Sequence, residues 1–110
     1  MSYDRGDVVE AGDPFTDANA SRPFLVVNTD AHPFHGDQYV AVTLTTKTWY
    51  DKTIGLDDAD FVEGGVPERS SIVPWGVASP GHEDVTDWFG RIDEDIVDRA
   101  VEDLIGYLLE

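Results

Sequence analysis

Arg22, Thr45 and Thr46 are the residues of this chain best fitted, by type and placement, to act on an anion. A polar loop, Asp17-Ala18-Asn19-Ala20-Ser21, ends in Arg22-Pro23, and the apolar run Phe24-Leu25-Val26-Val27 follows at once. Proline has no N–H for a sheet ladder, so Pro23 belongs at a strand's first position or on an edge. Arg22 therefore stands where loop meets strand, at the rim of a core. Gln38 to Thr45 alternates well enough for the next strand, paired with the first. Antiparallel neighbours bring the start of one beside the end of the other. A guanidinium fork and one or two short hydroxyl donors on one rim would grip a phosphate. The same residues also fit a plainer description: a surface arginine paired with an aspartate, and threonines that favour strand geometry.

Other constellations are weaker. His32-x-x-His35 has spacing that invites a metal or an acid–base pair for RNA cleavage. It sits in a loop, with no third ligand specified and nothing to aim the two rings at one point. No metal and no cofactor are therefore expected. Paired carboxylates are uninformative in a chain with 23 acidic residues. A phosphate-binding glycine loop and a nucleophile elbow are both missing.

The 110 residues make one domain, 1–110, with enough apolar content for a single core. Seven basic residues face 23 acids, for a net charge of −16, and both halves are acidic. Lys47 and Lys52 are the two lysines. An even acidic coat of this kind looks like adaptation to molar salt, where hydrated carboxylates keep a surface soluble and self-repulsion is screened. A nucleic-acid mimic or a metal-binding surface would also be acidic, but would cluster its acids. Cysteine is absent, which excludes thiolate chemistry and a disulfide framework. Met1-Ser2-Tyr3-Asp4-Arg5 does not read as a signal peptide, and no apolar run reaches the roughly 20 residues of a membrane helix. A soluble, cytoplasmic protein with no membrane partner is expected.

The elements that must position Arg22 and Thr45 are short strands. Arg5 to Ala11 reads as a turn entering a first strand, Phe24 to Asn28 as a second and Gln38 to Thr45 as a third. Thr53 to Leu56 is a short strand, and Asp57 to Arg69, with Gly64-Gly65 and Pro67, is loop. Ser71 to Val77 is a strand bent or on an edge because of Pro74, and Trp88 to Ile92 is the last. Asp93 then caps a helix whose Ile96, Val97, Ala100, Val101, Leu104, Ile105 and Leu108 recur on one face. Several short strands and one closing helix describe a mainly β fold: a small barrel of antiparallel strands with a C-terminal α-helix.

A series of motifs in order gives the chain a family resemblance. Arg5-Gly6-Asp7-Val8-Val9, then Pro14-Phe15-Thr16-Asp17, then Arg22-Pro23-Phe24-Leu25-Val26-Val27 resembles the opening of MazF/PemK-type toxins of toxin–antitoxin modules. Val42-Thr43-Leu44-Thr45-Thr46 falls where that family carries a strand ending in Thr-Ser or a similar pair. Ser71-Ile72-Val73, and Gly90-Arg91-Ile92-Asp93 before a helix, resemble its later elements, so the likeness covers residues 5 to about 109. It implies an SH3-like barrel and a homodimer. It also implies a metal-independent endoribonuclease acting on single-stranded RNA and silenced by an antitoxin protein. Carried over by position, Arg22 and Thr45 are the catalytic pair, with Thr46, Lys47, Trp49 and Phe15 contacting substrate. Tyr50, Trp75 and Phe34 join Trp49 as aromatics able to stack unpaired bases or simply to pack.

The expected reaction is attack by a ribose 2′-hydroxyl on its own phosphate. Arg22 would stabilise the crowded charge or relay a proton, and Thr45 would fix the phosphate. One departure stands out: the loop before Pro23 holds a single arginine where relatives often carry several basic residues. Either stacking replaces long-range attraction in molar salt, where the Debye length is roughly 3 Å, or the barrel is kept as a non-catalytic RNA- or protein-binding module. Cousins that poison DNA gyrase use a tryptophan-containing C-terminus, whereas this chain reads Tyr107-Leu108-Leu109-Glu110 there.

Overall fold

Phe24-Leu25-Val26 is apolar on both sides because the sheet is buried on both sides. In the computed structural model, which describes residues 2–12, 20–47 and 51–109, alternate residues of the central strands enter two separate clusters. Val8, Leu25, Val42 and Leu44 pack with Ile72, Ile92, Val97 and Ala100 on one face. Val9, Phe24, Val26 and Ala41 pack with Ala11 and Tyr39 on the other. The period of two is intact, but both phases are filled with apolar side chains.

The strands are β1 (Asp7–Gly12), β2 (Ser21–Val26), β3 (Ala41–Thr45), β4 (Ile54–Gly55), β5 (Phe61–Gly64), β6 (Ser71–Ala78) and β7 (Val85–Ile92), followed by α1 (Glu94–Leu109). They form one antiparallel sheet in the order β4-β6-β3-β2-β1-β7-β5. The sheet curls into a half-barrel. A flat sheet carrying one helix would be far thinner in one direction than the 31 × 30 × 29 Å extents of this chain.

Arg5-Gly6-Asp7 closes the half-barrel. Gly6 adopts φ +99°, donates its N–H to the Val26 carbonyl at 2.8 Å and accepts from the Ile92 N–H at 2.9 Å. Any side chain there would be strained. The Arg5 guanidinium donates to the Val27 carbonyl at 2.6 Å and pairs with Glu94 and Asp98 on α1. Asp7 is buried, and its Oδ1 accepts from Trp88 Nε1 and from Arg91 Nε, each at 3.2 Å. That hydrogen bond and the adjacent carboxylate push the Arg91 pKa up. The motif thus ties the first strand to β2, β7 and the helix.

Two elements differ from the sequence expectation. The segment read as loop from Asp57 to Arg69 contains a 3₁₀ turn at Asp58–Asp60 and the edge strand β5, paired with β7 at Phe61↔Ile92 and Gly64↔Gly90. Its residues are mostly exposed, so it shows no hydrophobic alternation. Its glycine, which read as a breaker, is there for closeness: a Cβ on Gly64 would overlap the Phe89 carbonyl. The helix is capped as expected, with Asp93 Oδ1 accepting the Asp95 N–H at 2.9 Å. Its apolar face, however, outruns the core. Val97 and Ala100 are buried, whereas Ile105 and Leu108 are exposed.

Tyr39 anchors the second cluster. It is fully buried, and its hydroxyl accepts the Tyr3 N–H at 3.1 Å and meets His82 Nδ1 at 2.7 Å. Burial pushes its pKa up, because the phenolate would lose water. A folded pKa above the unfolded one means that the stabilisation is complete below about pH 10 and is lost as pH rises through the folded value. Tyr39→Phe is expected to remove that alkaline loss, measured as unfolding free energy across the alkaline range beside the parent chain.

Candidate functional site

The paired strands β2 and β3 bring the candidate residues together. Phe24 lies opposite Thr43, and Leu25 opposite Val42. Extending that register by two residues sets Arg22 beside Thr45. Both line one cleft of about 330 Å³, together with Thr43, Lys47, Val73, Trp75 and Gly76. Thr43 and Thr45 are two apart on β3, so both face the cleft, and both are buried.

Thr45 is held in a useful orientation. Its Oγ1 accepts the Lys47 N–H at 3.1 Å, which leaves its own O–H hydrogen to donate. Arg22 is half-buried on the second position of β2, opposite Ala11 of β1. Among the described residues the cleft is lined by two cations and no carboxylate. In a chain of charge −16, that makes it a local exception. Three arginines outside the cleft pair with acids: Arg5 with Glu94 and Asp98, Arg69 with Asp57 at 2.9 Å, and Arg91 with Asp7.

The cleft's far wall is the bent strand β6, whose interruption at Pro74 the sequence predicts and whose approach to Thr43 it does not. Between β3 and β6 the register shifts: Val42 opposes Val77, but Thr43 opposes Val73. Pro74, Trp75 and Gly76 therefore have no partners on β3, and β6 bulges over Thr43. Pro74 is buried in this bend, while Trp75 stays partly exposed and lines the cleft. Gly76 is required by closeness, since a Cβ there would overlap Thr43 Oγ1 and press on Val73. Only the Pro-Trp-Gly interruption of a strand pattern marks this wall in the sequence. Gly76→Ala is expected to cost about 1–3 kcal/mol by overpacking, read as a lower denaturant midpoint.

The other candidates lie elsewhere. Thr46 is exposed and is not among the residues lining the cleft, as strand alternation requires of the residue between Thr45 and Lys47. Phe15, Trp49 and Tyr50 lie outside the described residues. Phe34 borders a different cleft with Asp37, Glu83 and Asp84. The histidines are engaged locally. His32 Nδ1 accepts the Phe34 N–H at 3.0 Å, and His35 lies 3.2 Å from Asn28 Nδ2 and 3.4 Å from Asp4. Among the described residues no three His, Cys, Asp or Glu side chains gather as metal ligands. No helix there is long and apolar enough to cross a membrane.

The arrangement is that of an anion cradle: a planar bidentate donor, a buried hydroxyl aimed from the neighbouring strand, a second cation and an aromatic wall. It would hold a tetrahedral or bipyramidal phosphorus centre by several oxygens at once.

No protein-family model matches the chain, and no curated protein matches it in sequence. Solved structures do match in fold. A chain of the MazE–MazF complex from Deinococcus radiodurans superposes with a TM-score of 0.72 at 17% identity, covering 99% of this chain and 97% of that one. An endoribonuclease from a mycobacterial species gives 0.71 at 19% identity over 96% and 93%. A mycobacterial endoribonuclease in complex with its cognate antitoxin gives 0.69 at 19% over 98% and 93%. The likeness spans essentially the whole of each chain and establishes the fold.

Proposed function

We propose that this chain, built on the fold of the MazF endoribonuclease toxins, is itself such a toxin: a metal-independent endoribonuclease that cleaves single-stranded RNA in the Arg22–Thr45 cleft. The observation that carries this is the convergence of Arg22, Thr45 and Lys47 on one cleft, each brought there by the pairing of β2 with β3. Structures with the same fold are endoribonucleases, one of them bound to its antitoxin.

In this reaction the nucleophile is the substrate's own 2′-hydroxyl, so no metal is needed to generate one. The O2′–P bond forms as the P–O5′ bond breaks; the 2′-hydroxyl proton is lost, and the departing 5′ oxygen gains one. The products are a 2′,3′-cyclic phosphate and a free 5′-hydroxyl. Negative charge accumulates on the non-bridging oxygens at the crowded phosphorus. Arg22 meets it with two parallel N–H donors, and Thr45 with its remaining O–H. The cation of Lys47 lies beside them. Trp75 offers a flat face for one unpaired base.

The composition supports a high-salt setting for this activity. With a charge of −16 and two lysines, the protein works in concentrated salt, where stacking and short-range donors outweigh long-range attraction. An antitoxin would silence it by covering the Arg22 rim, and the working unit is a homodimer. Incubation of a long unstructured RNA in molar KCl with EDTA, beside Arg22→Ala, tests the reading. Discrete fragments ending in cyclic phosphate, missing with the variant, are expected. Intact RNA across a salt series would overturn it in favour of a binding module on the same barrel.

A further inference from the structure

Thr43 carries a buried hydroxyl with nothing to bond. The residue is 6% exposed, and among the described residues its Oγ1 has no hydrogen-bond partner. Its neighbours across the ladder, Phe24 on β2 and Val73 on β6, are apolar. Valine would fill the same space and bring no polar atom, so by packing alone valine is the better residue. No described side-chain nitrogen or oxygen is both sealed from solvent and unpartnered, so this hydroxyl reaches open space. The space that Thr43 lines is the Arg22–Thr45 cleft. Such a hydroxyl is satisfied only by what enters that cleft, water or a ligand.

The wall above it is bare. Gly76 stands in the bulge of β6 over Thr43, and a Cβ there would overlap Oγ1. With glycine, no side chain at that position covers the hydroxyl. Thr43 and Thr45 share one face of β3 and stand about 7 Å apart along the strand. Two O–H···O bonds of about 2.7 Å each, joined by the width of one phosphate group, cover a similar distance. Thr45 accepts the Lys47 N–H and keeps its own O–H hydrogen to donate. Thr43, with no partner, has a donor to offer as well.

We infer that Thr43 is a second oxyanion donor of the nuclease: its O–H meets the non-bridging oxygen of the scissile phosphate that Thr45 does not. This rests on the RNA-cleaving function proposed above. Charge builds on both non-bridging oxygens as the 2′ oxygen closes on phosphorus, and one hydroxyl serves only one of them. A donor already fixed on a strand, with apolar neighbours and no competing partner, needs no reorganisation when that charge appears. Arg22 spans the pair from the β2 side, and the two threonines take one oxygen each from β3.

Thr43→Val, which keeps the shape, is expected to lower kcat about 10- to 100-fold, since Arg22 and Thr45 remain in place. KM should stay close to the parent value, and the denaturant midpoint should be no lower than the parent's. Thr43→Ser should recover most of the rate. Phosphorothioate RNA gives the decisive readout, because sulfur at one non-bridging position is a weak acceptor. The substrate carries one sulfur at the linkage the parent cuts, as separated Rp and Sp isomers in single-turnover cleavage. One isomer's slowing should vanish in Thr43→Val, and the other's in Thr45→Val. Parent rates with Thr43→Val, while Arg22→Ala no longer cleaves, would overturn the donor and leave the nuclease standing. So would a loss of rate with the isomer ratio unchanged, which marks a packing role. A changed cleavage sequence with that ratio unchanged would place the hydroxyl on a base and overturn it too. Failure of the parent chain to cleave RNA at any salt would remove the nuclease itself, and this donor with it.

Discussion

Arg22→Ala is expected to lower the rate of RNA cleavage by about 10³-fold or more, leaving the circular dichroism spectrum and the native mass of the protein unchanged. The magnitude follows from what the guanidinium would do. As the 2′ oxygen closes on phosphorus, charge grows on oxygens that lie in a partly buried cleft lined by Val73 and Trp75. There, a donor pair already in place is worth far more than in bulk water, because nothing must reorganise when the charge appears. Arg22→Lys separates the two contributions. It keeps the charge and loses the fork, so its rate should fall between those of the parent and of alanine. The fold should tolerate both changes, since Arg22 sits at the start of β2, outside both apolar clusters. Single-turnover cleavage of one RNA by the three proteins, with EDTA present, measures all of this. Equal rates for parent and alanine would place the chemistry elsewhere on the barrel.

How much of this site is legible in the sequence depends on how local its causes are. The encounter of Arg22 with Thr45 is legible because it needs only two adjacent antiparallel strands and one register, and β2–β3 supplies it with no irregularity before Phe24↔Thr43. The helix is legible for the same reason: its cap and its period lie within one stretch of chain. Thr43 and Gly76 are not legible. Their approach depends on a register shift in the pairing of β3 with β6, strands separated by some thirty residues: Pro74 announces a bend in β6, but no local pattern says that Thr43 lies beneath it. Nor is β5, whose exposed residues and glycines look like a loop until β7 is placed beside them. The exposed end of α1 is hidden differently. Helical periodicity shows which side is apolar, but not how far the core beneath it extends, and here the buried positions stop at Ala100.

Thr45→Val should cost about 10²-fold in kcat with little change in KM, and Thr45→Ser should recover most of it. The pair isolates the hydroxyl. Valine keeps the branched shape that fills the buried position on β3, so no cavity opens and the loss is that of one hydrogen bond, about 0.5–1.5 kcal/mol. The Lys47 N–H loses its acceptor, but it sits on an exposed residue, where water can replace the bond. What valine cannot do is donate to the phosphate. If Thr45 acts on the ground state as much as on the crowded intermediate, KM would rise with kcat unchanged, and its place would be substrate binding alone. If valine and serine are both as active as threonine, the hydroxyl serves only to order the chain into Lys47, and Thr43, which shares the cleft from the same face of β3, becomes the donor to replace next.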